Sequence, residues 1–202
     1  MIRITFPAFF LLAALTLNAQ NEAKMSDETL PYRIIPDYPA EYTAETVAAR
    51  MIDGLGFRYY WATEGLREED LVYRPSEEAR TSGETIDHIL GLTTVILNSV
   101  LQQPNGGASS EEAPSTFTEK RKKTLENIYR ASEILKTGHD TLKDYPIIFQ
   151  RGENRTELPF WNQLNGPIAD ALWHVGQVVS FRRASGNPFN SKVSVLTGTV
   201  RE

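Results

Sequence analysis

Residues 160–185 read FWNQLNGPIADALWHVGQVVSFRRAS, and the fold turns on whether this stretch is a helix. Asp170, His174, Gln177 and Phe181 fall at i, i+4, i+7 and i+11, which is one stripe of an α-helix. The spacing predicts a helix over about 159–185. Pro167 has no N–H to donate and its ring crowds the preceding turn, so it should kink the helix or restart it. Asn165 or Gly166 would then cap the restart, and Gly186 stands where a helix ends.

The same period recurs upstream. Thr43, with Glu45 and Thr46 behind it, suits a helix start. Val47, Met51, Leu55 and Tyr59 then predict an inner stripe for a helix over about 43–65. A polar connection with Pro75 and Gly83 leads to a second helix over about 83–102, with His88, Leu92, Val95 and Ser99 on one stripe. The linker PNGGASSEEAPS (104–115) separates it from a third helix over about 117–138, whose inner face is read as Leu125, Ile128, Tyr129, Ile134 and Leu135. YPIIFQRGENRTELPF (145–160) has β-branched and aromatic residues on both sides of RGEN, which predicts a short hairpin or an irregular excursion. Four long amphipathic helices and no sheet pattern predict an all-α four-helix bundle over 43–190. An extended arm over 20–42 precedes it, rich in proline from Pro31 onward, and an irregular tail over 191–202 follows.

The chain has 202 residues, of which 41% are apolar and 23% charged, as expected of one globular domain. A formal net charge of −5 gives no basic excess to neutralise phosphates, so a nucleic-acid partner is not expected. There is no cysteine, which excludes a disulfide framework, a thiolate metal site and a cysteine nucleophile. The first residues, MIR, are basic. ITFPAFFLLAALTL is an uncharged apolar run, and NAQ offers a small residue before a polar stretch. This is the pattern of a secretory signal peptide over 1–19, cleaved after Ala19 or Gln20. The run is short for a membrane span. The mature protein is therefore expected in the periplasm or outside the cell, without a stable membrane span. The sequence leaves a homodimer open.

The residues that could carry chemistry are few. Two ligands at i and i+4 lie one above the other on a helix and can hold one ion. If the stripes bearing His88 and Asp170/His174 both face inward, three donors can converge from two helices. Three protein ligands leave a coordination position open, as catalytic metal sites do. Plainer readings stand beside this one. His88 alone reads as a hydrogen-bonded core residue, and Asp170 as a carboxylate favoured at a positive helix end. Glu84, one turn before His88, is either a fourth ligand or a first-turn acid, and Gln177 a surface residue or a support for a ligand. His139 reads as an exposed cation after the Gly138 stop. FRRAS reads as a solvated helix end, with Arg182 and Arg183 complementing the dipole.

WATEGLREEDLVYRPSEEARTSGETIDHILGL and ADALWHVGQVVSFRRASGNP resemble the DinB-like family of metalloproteins over roughly 43–190. The family pattern has a histidine in the second helix, matched by His88, and H-x-x-x-H-x-G-Q in the last. His174 matches the second histidine of that pair, and Asp170 stands where the first would be. The resemblance implies a four-helix bundle with a divalent-metal site at His88, Asp170 and His174. The usual three-histidine site is associated with nickel or zinc, and the carboxylate also suits iron or manganese. With many members of the family uncharacterised metalloenzymes and export set against their thiol-transfer branch, the expected activity is a metal-dependent hydrolase activating water for an unknown small-molecule substrate. The alternatives are a thiol-dependent transferase, which export disfavours because such thiols are chiefly cytosolic, and a non-catalytic metal-binding or structural bundle.

Overall fold

Thr43 opens the first long helix by a reciprocal cap. The Thr46 N–H donates to Thr43 Oγ1 at 3.2 Å and the Thr43 N–H to Thr46 Oγ1 at 2.9 Å, which satisfies donors that a helix start leaves unpaired. The structure is a computed structural model describing residues 30–106 and 113–202. The signal-peptide segment 1–19 lies outside the described residues, as does the arm before residue 30. Four long helices are seen: α1 (Ala44–Thr63), α2 (Ser82–Val100), α3 (Phe117–Thr137) and α4 (Ala169–Ala184). Thr81 and Thr116 cap α2 and α3 in the same reciprocal way, with Glu84 and Glu119 as partners. Helices α1 and α2 each pack against both α3 and α4. None of the helices among the described residues is long and apolar enough to cross a membrane.

The expectation of an all-α four-helix bundle is overturned. The fold is mixed: 54% of the described residues are helical, and two small sheets of three and two strands accompany the helices. Strands β2 (Ile147–Arg151) and β3 (Asn154–Leu158) form an antiparallel hairpin turning at Gly152, and β1 (Pro104–Asn105) pairs parallel to β2. Part of the segment read as linker becomes a strand because Asn105 fastens it. Its amide donates to the Ile148 carbonyl at 3.0 Å, and its side-chain oxygen accepts from Asn98 at 2.9 Å. The tail, expected to be irregular, forms a second hairpin of β4 (Val193–Ser194) and β5 (Thr199–Val200). Ile35 N–H donates to the Gly198 carbonyl at 2.9 Å, so arm and tail meet.

The inner faces are rotated from those read in the sequence. In α1 the buried residues include Ala48, Ile52, Leu55 and Tyr59, while Val47 and Met51 are exposed. In α2 the core is Ile86, Ile89, Thr93 and Ile96, and His88, Leu92 and Val95 are only half-buried. In α3 Leu125, Ile128 and Leu135 are buried, and Tyr129 is largely exposed. Spacing fixes a helical period but only loosely the phase of a stripe, and neighbouring apolar positions compete for the centre.

The helix end read as solvated is a buried knot. Arg182 is buried, and its guanidinium donates to the carbonyls of Trp61, Ala62 and Glu64 at 3.0–3.1 Å. It thereby caps the C-terminus of α1, where carbonyls lack intrahelical partners. Buried Asp70 accepts from the Arg67 side chain at 2.9 and 3.0 Å, from Asn187 at 2.7 Å and from Ser185 at 2.5 Å. The Arg67 guanidinium, then Ser185 and Asn187, hold its carboxyl well below the usual carboxylate range. A depressed carboxyl stabilises the fold above its unfolded pKa, and the stabilisation is lost as pH falls below about 4 towards the folded value. Asp70→Asn is therefore expected to cost about 2–3 kcal/mol at neutral pH. The deficit should shrink in denaturation curves taken at falling pH; a deficit that does not change with pH contradicts the assignment.

Candidate metal centre

The last helix reaches its site through an irregular turn. Trp161–Gln163 form a short helical turn, Leu164–Ile168 widen into a π turn, and α4 follows. Pro167 lies inside the wide turn, and Gly166 leaves helical geometry at φ −97°, ψ −108°. The chain therefore kinks at Gly166–Pro167, as expected, before α4 begins. Ile168 stands at the N-cap of α4 with no side-chain cap, so Asn165 and Gly166 do not cap it. Single π turns insert a residue into a helix and are frequent at functional sites. Here the wide turn ends at Ile168, and Asp170 lies in the first turn of the helix that follows.

The amide of buried Gln163 reaches the carbonyls of Val95 and Ile96 at 3.4 Å, while residues 170 and 174 meet residue 88. Helices α2 and α4 therefore run antiparallel, and the site lies on their seam. His88 Nε2 is 3.3 Å from Asp170 Oδ2, and His174 Nε2 is 3.2 Å from Asp170 Oδ1. The two imidazoles stand edge to face, with centroids 4.6 Å apart. One donor atom from each of the three residues lies within 4.8 Å of the others. Donors about 2.1 Å from a tetrahedral ion are about 3.4 Å apart, so the spacing fits a small divalent cation. The side chains of His88, Asp170 and His174 are 34%, 37% and 14% exposed, so the group opens to solvent rather than facing the core.

His174 Nδ1 lies 2.7 Å from Gln177 Oε1. With the amide oxygen in this position, Nδ1 carries the hydrogen and donates it. His174 Nε2 then presents its lone pair to the Asp170 carboxylate. Two acceptors at that distance need a positive centre between them, either a shared proton or a metal ion. The arrangement also fixes the imidazole tautomer, as partners of metal-binding histidines commonly do.

The remaining candidates are spoken for. Glu84 Oε2 accepts from the Thr81 N–H at 2.7 Å, so its carboxylate belongs to the α2 cap. Backbone and hydroxyl donation from Thr81 lowers its pKa. Phe181 packs against Tyr73, with centroids 6.0 Å apart. His139 is exposed after α3 and away from the group. The Gln177 interaction was visible in the sequence as a spacing of three from His174, but spacing alone did not show which atom it would engage.

Comparisons of the chain with protein-family models, with curated proteins and with solved structures found no match.

Proposed function

We propose that this chain is an exported, DinB-like protein that holds one divalent cation with His88, Asp170 and His174 and serves as a metal-dependent hydrolase of a small molecule. The observation that carries the reading is the convergence of His174 Nε2 and His88 Nε2 on the Asp170 carboxylate at 3.2 and 3.3 Å, with His174 Nδ1 held by Gln177. A cation satisfies all three groups at once. Two imidazoles and a carboxylate suit zinc, iron or manganese, and the family resemblance adds nickel. When bound, such an ion supplies Lewis acidity that activates water and polarises a substrate carbonyl.

The chain's own residues do the rest. Gln177 holds the His174 ring in the binding tautomer. Glu84 and Gln177 are engaged elsewhere, so among the described residues the group is His88, Asp170 and His174, a three-ligand set of the kind that suits an open, reactive site. The acidic chain is in keeping with a small-molecule partner rather than a nucleic acid. Periplasmic or extracellular location follows from the reading of residues 1–19, and sequencing of the native N-terminus tests it.

The direct test is metal content after purification without added metal. Wild-type protein is expected to carry close to one equivalent. Asp170→His restores three imidazoles and is expected to keep a bound ion, while Asp170→Asn removes charge and should lower occupancy. Equal occupancy in wild type, Asp170→Asn and His174→Ala contradicts the site.

A further inference from the structure

The two histidines of the metal group are held unequally. In a helix each side chain leans back over the preceding turn, so the residue at i+3 covers the one at i. For His174 that residue is Gln177, whose Oε1 lies 2.7 Å from His174 Nδ1. For His88 it is Gly91, which has no side chain to offer, and a Cβ built there meets nothing within 4 Å. Among the described residues no protein group bonds His88 Nδ1, and the polar contact of its ring is with Asp170 through Nε2. His174 also shares a helix with Asp170 at a spacing of four, and it is 14% exposed against 34% for His88. Helix α4 thus carries a pair of donors with a support behind it, whereas α2 contributes one ring that no neighbouring side chain grips from behind.

We propose that His174 is the anchoring ligand and His88 the exchangeable one, which gives up its place at the metal when substrate binds. This rests on the metal reading above. A set of three protein donors leaves one coordination position open. Release of His88 Nε2 frees a second, and any two positions of a tetrahedral ion are neighbours. The substrate class is then a small chelator that offers two oxygens to one ion, as hydroxamates and α-hydroxy acids do. The exchange balances: one metal–nitrogen bond breaks as one metal–oxygen bond forms, and the imidazole leaves neutral with its proton on Nδ1. Asp170 and His174 keep the ion on α4 throughout.

The test uses the full chain loaded with zinc, and acetohydroxamate as the chelating probe. The chain has three histidines, so their ring nitrogens can be followed one by one in nitrogen-labelled protein by NMR, where a nitrogen on zinc is told from a free one by its shift. At saturating acetohydroxamate, His88 Nε2 is expected to lose its zinc-bound shift while His174 Nε2 keeps it. Gly91→Gln supplies the missing support. It should bind zinc about tenfold more tightly, the low end of what such supports contribute, and His88 should stay on the ion when the probe is added. Gly91→Ala removes the helix glycine without reaching the ring, and its zinc affinity should match wild type. Both histidines staying on zinc in the wild-type protein with the probe, or His174 leaving first, overturns this inference alone. Equal zinc affinity in Gly91→Ala and Gly91→Gln does the same. Absence of a zinc-bound shift at either histidine before the probe is added overturns the metal reading and this inference with it.

Discussion

His174→Ala is expected to lower divalent-cation affinity by at least ~100-fold, measured by titration with zinc or cobalt. Changing a residue that only supports a ligand typically costs 10–100-fold, and loss of a ligand should cost at least as much. His174 is the most enclosed of the three, and it is the one whose second nitrogen is held, by Gln177 at 2.7 Å. Its removal leaves His88 and Asp170 on separate helices, with no i, i+4 pair to define the site. Gln177→Ala should cost about tenfold, because the ring stays but its orientation and tautomer are freed. The two substitutions should not add, since without the imidazole the Gln177 carbonyl has nothing to orient. Unchanged affinity in His174→Ala contradicts the proposed centre.

The largest stability effect is expected at Tyr32. This residue of the arm is 3% exposed, and its hydroxyl donates to Asp53 Oδ1 at 2.9 Å. Asp53 is fully buried, and its other oxygen pairs with Lys136 Nζ at 2.9 Å. The Tyr32 ring meets that of Tyr129 edge to face. The Tyr32 backbone has φ 74°, a left-handed conformation that costs a non-glycine residue roughly 1–2 kcal/mol and persists only where packing over-determines it. Burial and the hydroxyl contact raise the Tyr32 pKa far above the ordinary phenol value, so it remains a donor at any working pH. Tyr32→Ala empties the pocket and strips a partner from a buried carboxylate, at a cost of about 4 kcal/mol. At roughly 2–4 °C per kcal/mol, Tm should fall by about 10 °C.

Gly56 gives an independent check. A Cβ there would lie 2.5 Å from the Tyr32 ring, so Gly56→Ala must displace it. The single variants should be comparably destabilised and the double variant little worse, because both undo the same contact. Additive losses in denaturant unfolding contradict this seating of the arm.

The site was more legible than the architecture around it. Asp170 and His174 declare themselves by a spacing of four, and the resemblance links them to His88. That the group lies on an open seam was not legible, because the stripe through His88, Leu92 and Val95 looked like a core face. Only the competition with Ile86, Ile89 and Ile96 decides which face turns inward, and that is a property of the packed helices. Strand β1 has two residues and depends on Asn105 reaching Ile148, a contact between segments far apart in sequence. Arg182 looked like a dipole charge because its position near a helix end was visible and the carbonyls of α1 were not. Tyr32 lay within a proline-rich arm, and no local pattern distinguishes a residue that plugs a pocket from one that lies on the surface.

The hydrogen bond from Ile35 to Gly198 sets an order in time. It joins the start of the described chain to its end, so closing it costs more chain entropy than any helix pairing within the fold. Contacts of that separation form late, after local helices and their neighbours have docked. During synthesis Ile35 is made 163 residues before its partner Gly198 (198 − 35). That segment of the arm therefore waits with the bond open, and the late step brings two distant segments together around helices that are already packed.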